Sequence, residues 1–418
     1  MKLKKIGQAS LAAAACVGAG LLLASCNPSA TIDYIFVTSV NNGTGWVSSY
    51  YAESQTGVLA EVAGSPVGSQ GNNPVALVPS PNDEYLYVAN QGSNNIAQFD
   101  IDTNGQLAPG KTYTTPGSEP VSLAINPAGT FLYVLDYYGP TYSDTNPGPG
   151  GVVVYPINSD GSLGSPVAGG AGPITPVQCF PGGIAVSASG DFAYVTNTNS
   201  VVVTTSPPTT STPPATPNGC PDEGTISGFS IASSGALTPV PGSPFLAGTT
   251  PTGIAIDPTS RFVYATDSVQ DQVIVYDIQN NGSLVALENG PFSTGDYPVN
   301  VTVDPRGLYL YISNYNNNDV SEYSINQSSG APSALASSTY GSKPPGPTCL
   351  AVDPALGHYL YVSDFGSAYI TAADLNPDSG VLTGVQDQPF PANGFATCLT
   401  AVPHGNHATE FVTANPGD

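Results

Sequence analysis

Pro251-Thr-Gly-Ile-Ala-Ile-Asp-Pro-Thr-Ser-Arg-Phe-Val-Tyr-Ala-Thr-Asp267 decides the fold of this chain. It reads as an apolar run, Ile254 to Ile256, then an Asp257-Pro258 turn. A second run follows, Phe262 to Thr266, closed by a short polar side chain. An Asp at the start of a type I turn caps it with its side chain, and the Pro behind it presets φ. The β-branched and aromatic residues on either side suit a pleated, half-buried surface. The phrase predicts a tight antiparallel strand pair.

The same phrase recurs at 75–90, 121–136, 184–197, 299–314 and 349–364. A seventh first half stands at 398–402 and a lone second half at 34–39. A third strand follows each second one, as at 97–101 and 273–278. Then comes a glycine turn, at Gly57, Gly105, Gly161, Gly235, Gly282, Gly330 and Gly380, mostly in Asn-Gly, Asp-Gly or Ser-Gly, which are strong hairpin signals. Seven such turns mean seven four-stranded units. Tyr264 and Tyr311 are 47 residues apart, Tyr311 and Tyr361 50. A four-stranded unit at this interval is the mark of a β-propeller. The longer intervals hold insertions at 137–150 and 198–224, the second rich in Thr, Ser and Pro and read as an extended loop. The reading is an all-β, seven-bladed β-propeller of four-stranded blades, its ring closed by N- and C-terminal strands that share a blade. Sharing a blade removes the open edges of a linear array. Two segments compete for the closing slot, 34–39 and 409–415; the first is preferred.

Composition agrees. The 418 residues include 47 Gly and 41 Pro but one Met, which argues for many short strands rather than helices. The chain is also too long for one ordinary core. Seven Lys and Arg against 30 Asp and Glu give a net charge of −23. Such a surface repels nucleic acid and is a poor host for phosphorylated substrates, so neither is expected as a partner.

Lys2, Lys4 and Lys5 followed by an apolar run to Leu23 read as a secretory signal. Leu23-Ala24-Ser25-Cys26 resembles a bacterial lipobox, which implies cleavage before Cys26 and lipidation of its thiol. The expected organisation is a signal peptide at 1–25, a lipidated tether at 26–30 and one propeller domain at 31–418. Asn27 after the cysteine implies, by likeness to enterobacterial lipoproteins, the outer rather than the inner membrane. The expected place is the bacterial cell envelope, with the membrane met through the lipid alone.

Tyr87-Val-Ala-Asn90, Tyr194-Val-Thr-Asn197 and Tyr311-Ile-Ser-Asn314 resemble the hallmark of YVTN-repeat and lactonase-type propellers, which include 6-phosphogluconolactonase-like proteins. The resemblance spans roughly 31–415 and implies the fold more than the activity, since one fold hosts many functions. Its catalytic members carry His and Arg at the starts of the innermost strands, after a Pro. Here those slots hold Pro74-Val-Ala76, Pro120-Val-Ser122, Pro181-Gly-Gly183, Pro251-Thr-Gly253 and Pro298-Val-Asn300. A lactone-opening mechanism that needs such a base and cation lacks its parts.

Alternating strand direction puts the loops before first strands and after second strands on one face, the top. The second strands end on Ser39, Asn90, Asp136, Asn197, Asp267, Asn314 and Asp364. Asx side chains at such places cap the following turn; read functionally, Asp136, Asp267, Asn314 and Asp364 belong to a ring of oxygen ligands for Ca²⁺, although no cofactor is required. Trp46, Tyr137, Tyr138, Tyr142, Tyr315 and Phe365 follow directly and suit stacking against a glycan or protein ligand. Glu119, Asp222, Glu223 and Asp296 lie near the same face. His358, His404 and His407 fall at the bottom and read as surface histidines, since a metal site needs three or four ligands. Cys179 and Cys220 both sit on the top of blade 4, and Cys349 and Cys398 hold equivalent positions on neighbouring first strands. The expected disulfides are Cys179–Cys220 and Cys349–Cys398, in an oxidising envelope. The functional expectation is an envelope-anchored scaffold that binds a ligand or protein on its top face. The alternative is a divergent lactonase acting on unphosphorylated lactones through acidic residues or bound Ca²⁺.

Overall fold

The decisive phrase forms two adjacent strands, Pro251–Ile256 and Phe262–Asp267, with Pro251 opposite Asp267 and Ile254 opposite Ala265. A computed structural model describes residues 31–168, 172–198, 220–221, 223–341, 345–354 and 357–404. Cys26, the tether, most of the 198–224 insertion, His407 and 409–415 lie outside the described residues.

Each of the seven sheets is a blade, counted here from the N-terminus. Blade 5 runs outward from Pro251–Ile256 through Phe262–Asp267 and Gln272–Ile278 to Leu284–Ala286. The innermost strands of blades 2, 3, 4, 6 and 7 are Pro74–Pro79, Ser118–Ile125, Pro181–Val186, Pro298–Val303 and Pro347–Val352. Blade 1 is built from both ends of the chain. Its innermost strand is Phe395–Pro403, and Thr31–Asn41 pairs with it on one side and with Thr44–Glu53 on the other. The N-terminal segment therefore fills the closing slot, as expected.

Between blades, apolar faces pack into shared clusters. One joins Ile35 and Val37 of blade 1 to Tyr361 and Ile370 of blade 7 across the closure. The glycine turns carry more than their hairpins. Gly330 (φ +71°) in blade 6 lies on the Phe262 ring of blade 5, where an added Cβ would come within 2.5 Å. Only glycine tolerates both that conformation and that approach. All seven turn glycines meet an aromatic ring of the preceding blade in this way, Gly57 meeting Tyr359 to complete the circle. In blades 1, 4, 5 and 7 the outer strands are short and split into two pieces around a proline. Proline cannot donate to the ladder, so it ends pairing where it stands.

The expected insertion at 137–150 starts later. Tyr137 and Tyr138 belong to the strand Phe131–Tyr138, and Tyr138 pairs with Ser118. Aromatic β-formers prolonged the strand by two residues beyond Asp136, so only 139–148 leave the sheet.

Candidate functional site

A cavity of about 370 Å³ opens on the top face along the propeller axis. A register shift follows the first proline of the innermost strands, as between Pro251 and Ile254 and between Pro347 and Leu350. Such bulges re-aim the residues they free. The freed residues, including Thr252, Gly253, Val299, Thr348 and Cys349, line the shaft. Two of their amides are capped by the penultimate hydroxyl of the neighbouring strand: Gly253 N donates to Thr266 Oγ1 at 2.9 Å and Cys349 N to Ser363 Oγ at 3.0 Å. Other hydroxyls link blades around the axis. Thr252 donates to the Pro298 carbonyl, Thr348 to that of Thr397, and Thr397 to that of Pro74. Much of the polarity of the shaft is thus already satisfied.

Aromatic pairs surround the mouth. Tyr137 and Phe180 have ring centroids 5.5 Å apart, Tyr297 and Tyr315 6.2 Å, and Phe365 and Phe395 6.0 Å. Asn73, Phe180 and Tyr297 each precede the proline of an innermost strand and adopt positive φ, +49°, +52° and +59°. Non-glycine residues held there are uncommon and tend to gather at functional positions. The disulfide Cys179–Cys220 packs behind Tyr137 and Phe180, and the disulfide Cys349–Cys398, with Cα atoms 5.0 Å apart, lines the shaft itself. Both pairings are as expected.

The ten candidate ligand residues divide. Tyr137, Tyr315 and Phe365 line the cavity. Tyr138 is buried beside Phe180 and donates to Asp144, and Tyr142 lies over Gly148 in the insertion. Tyr137 and Tyr138, expected as exposed rings, are 8% and 3% exposed because strand pairing and the disulfide cluster enclose them. Trp46 pairs with Ser39 and Gly68 inside blade 1, away from the axis. The polar strand ends are not among the cavity-lining residues. Asp267 accepts from the amides of Thr249 and Thr250, Asn314 from Gly295 and Asp136 from Gly117. Asp364 accepts from Thr371 Oγ1 at 2.7 Å. So the first three chiefly hold the connector that enters their own blade's innermost strand, rather than the turn after it; Asp267 does both, accepting also from Val269. Burial pushes the Asp136 carboxyl up to about 7 against the lowering effect of its bonds from Thr115 and Gly117.

Among the described residues lining the cavity none is His, Lys, Arg, Asp or Glu. Among the described residues no group of three or more His, Cys, Asp or Glu is arranged to hold a metal. Glu119 stands next to the mouth, where Gln91 Nε2 donates to it at 3.4 Å. Its carboxyl is raised, first by burial and then by Asp144. Sequence reasoning missed Phe180, Tyr297, Asn73 and Gln91. The available signal was the residue before each blade-opening proline, where a bulky or polar side chain recurs.

The architecture is a seven-bladed propeller with an aromatic-mouthed axial shaft whose described lining holds no His, Lys, Arg, Asp or Glu. The chain belongs to the lactonase, seven-bladed β-propeller family, whose model matches residues 46–143 and 184–352. Solved structures with the same fold include the periplasmic gluconolactonase of Pseudomonas aeruginosa, 17% identical over 89% of this chain and 99% of that one, with a TM-score of 0.69. A candidate 6-phosphogluconolactonase of Bacteroides fragilis is 18% identical over 90% of this chain and 99% of that one, with a TM-score of 0.67. A hypothetical selenium-binding protein of Sulfolobus tokodaii is 12% identical over 93% and 97%, with a TM-score of 0.62. No curated protein matches the sequence.

Proposed function

We propose that this protein is an envelope-anchored binding propeller that takes a small uncharged ligand, a sugar or lactone ring, into its axial cavity. The observation that carries this reading is the shaft's lining, which offers apolar walls, an aromatic mouth and, among the described residues, no His, Lys, Arg, Asp or Glu. Aromatic rings give a sugar or lactone ring a flat apolar surface, and a few fixed polar groups set its orientation. A phosphorylated ligand finds no Arg or Lys there to pair with it.

A lactonase reading is favoured by the family match and by Glu119, a carboxyl beside the mouth raised towards the range useful for proton transfer. One experiment separates the two: a panel of unphosphorylated lactones and the matching sugars, followed by calorimetry and by ring-opening assays, with and without a chelator. The expected result is saturable binding without turnover, weakened about tenfold by Tyr315→Ala, a loss in the range expected for one stacking ring. Turnover abolished by Glu119→Gln, Asp136→Asn or Asp267→Asn, or by chelation of bound Ca²⁺, would overturn the binding-only reading.

A further inference from the structure

At the foot of the seam between blades 7 and 1 two carboxyl groups meet with no base between them. Asp33, in Thr31–Asn41 of blade 1, is 0% exposed, and so is Asp353, just after Pro347–Val352 of blade 7. The equivalent second-strand positions of blades 2 to 5 are Glu84, Thr130, Asp191 and Arg261, all exposed. The burial of Asp33 is therefore particular to the closing blade. The equivalents of Asp353 in blades 5 and 6 accept from backbone amides. Asp257 accepts from the amides of Arg261 and Phe262, and Asp304 from those of Leu308 and Tyr309 and from the Arg306 guanidinium at 2.8 Å. Asp353 accepts from the His358 amide, and its carboxyl also lies against Asp33.

As a carboxylate, Asp33 has no donor for either oxygen. The group in hydrogen-bonding contact with it is the Asp353 carboxyl, itself an acceptor, so the contact requires a proton. The ionisable groups around it come from every neighbouring element: Tyr359 and Tyr361 from the second strand of blade 7, Asp374 from its third, His358 from the turn, Glu53 opposite Thr31, and His404 edge-on to Tyr34. None is Lys or Arg. Tyr361 adds a buried hydroxyl without a partner, at a place where the matching tyrosines of blades 2, 4, 5 and 6 bond the next blade.

We propose that Asp33 and Asp353 form a proton-sharing carboxyl pair that tightens the ring closure in acid and loosens it as the pH rises. Two like charges this close and this buried cannot both ionise without heavy cost. The sign follows from linkage. Burial and Asp353 raise Asp33 above its unfolded value, so its contribution is fully present below that unfolded value and is lost as the pH climbs through the folded one. Across that window the unfolding constant rises about tenfold per pH unit for the one proton.

Thermal and denaturant unfolding of the full chain, from mildly acidic to mildly alkaline buffer, tests this in wild type, Asp33→Asn and Glu322→Gln. Asp33→Asn keeps the shape and donates to Asp353 without a titrating proton, so it should remove about one proton's worth of the pH dependence. Glu322→Gln, at another buried carboxyl on a different seam, controls for general effects and should leave the Asp33 component in place. In the unmodified protein, hydrogen exchange corrected for intrinsic rates should show protection of 31–41 falling faster with pH than protection of 192–197. That comparison stands even if a variant fails to fold. Equal pH dependence in wild type and Asp33→Asn, or uniform exchange at both seams, overturns the proposal. So does stabilisation of wild type but not Asp33→Asn by Ca²⁺ at high pH, which would make the neutralising ion a metal.

Discussion

Each position of the repeated Tyr-Val-Thr-Asn phrase has a separate mechanical task, visible at single residues. In blade 5 the Tyr264 hydroxyl donates to the Gly330 carbonyl of blade 6 at 2.9 Å. Val263 and Ala265 are buried towards blade 4, with Ile226 and Ala247. Thr266 caps the bulge at Gly253, and Asp267 holds the connector at Thr249 and Thr250. Tyr133 breaks the pattern, since its buried hydroxyl has no partner. Tyr264→Phe should therefore cost about 1 kcal/mol, the net worth of one buried hydrogen bond whose acceptor is left behind. Tyr133→Phe should be neutral or slightly stabilising; the two are compared by denaturant midpoints at constant slope. The tyrosine's role was not legible in the sequence because its acceptor lies some seventy residues away, in the next blade. The Asx role was half legible. Such a residue at a strand end announces a cap, but whether it faces the loop behind or the turn ahead depends on packing.

Elements were read with unequal success, for a physical reason. First and second strands carry β-branched residues and, in all blades but the fourth, an Asx-Pro, Ser-Pro or Val-Pro junction, so six pairs and the closing half were visible. The outer strands of blades 1, 4, 5 and 7 are short and interrupted by proline, and leave little periodic signal. The cavity was hidden by a different cause. Its mouth is made by residues before proline in left-handed backbone, where local preference expects extended chain. The cysteine pairing was legible because it depends only on which strands are neighbours. Cys349–Cys398 joins the innermost strands of blades 7 and 1 across a sequence separation of 49. By the chain-entropy account, a loop of that length is worth about 4 kcal/mol. Replacing both cysteines with Ala should lower the melting temperature and speed exchange first in 395–403, read by hydrogen exchange under native conditions. If the loss is spread evenly around the ring, the disulfide does not act at the seam.

At the scale of the whole molecule, closure is what turns seven similar sheets into one body. The closing seam flanks a blade that takes its inner strand from one end of the chain and its other strands from the other end. It bears the disulfide at the top and the Asp33–Asp353 pair at the foot. The expected lipid at Cys26 belongs to this scale as well. Labelling with a radioactive fatty acid should mark the protein in its bacterial host and fail on Cys26→Ser, with the unlabelled form released from the membrane fraction. Labelling that survives Cys26→Ser removes the anchor from the proposal.

The shared blade also fixes an orientation. Inner strands run from the cavity mouth down to the Asx-Pro turns, and second strands run back up. Thr31 opens a second strand and Pro403 closes an inner one, so both ends of the described chain leave by the underside. A propeller moored by its N-terminus therefore stands with its back to whatever holds it. Were the proposed anchor at Cys26 to hold it, its aromatic cup would be turned away from the membrane.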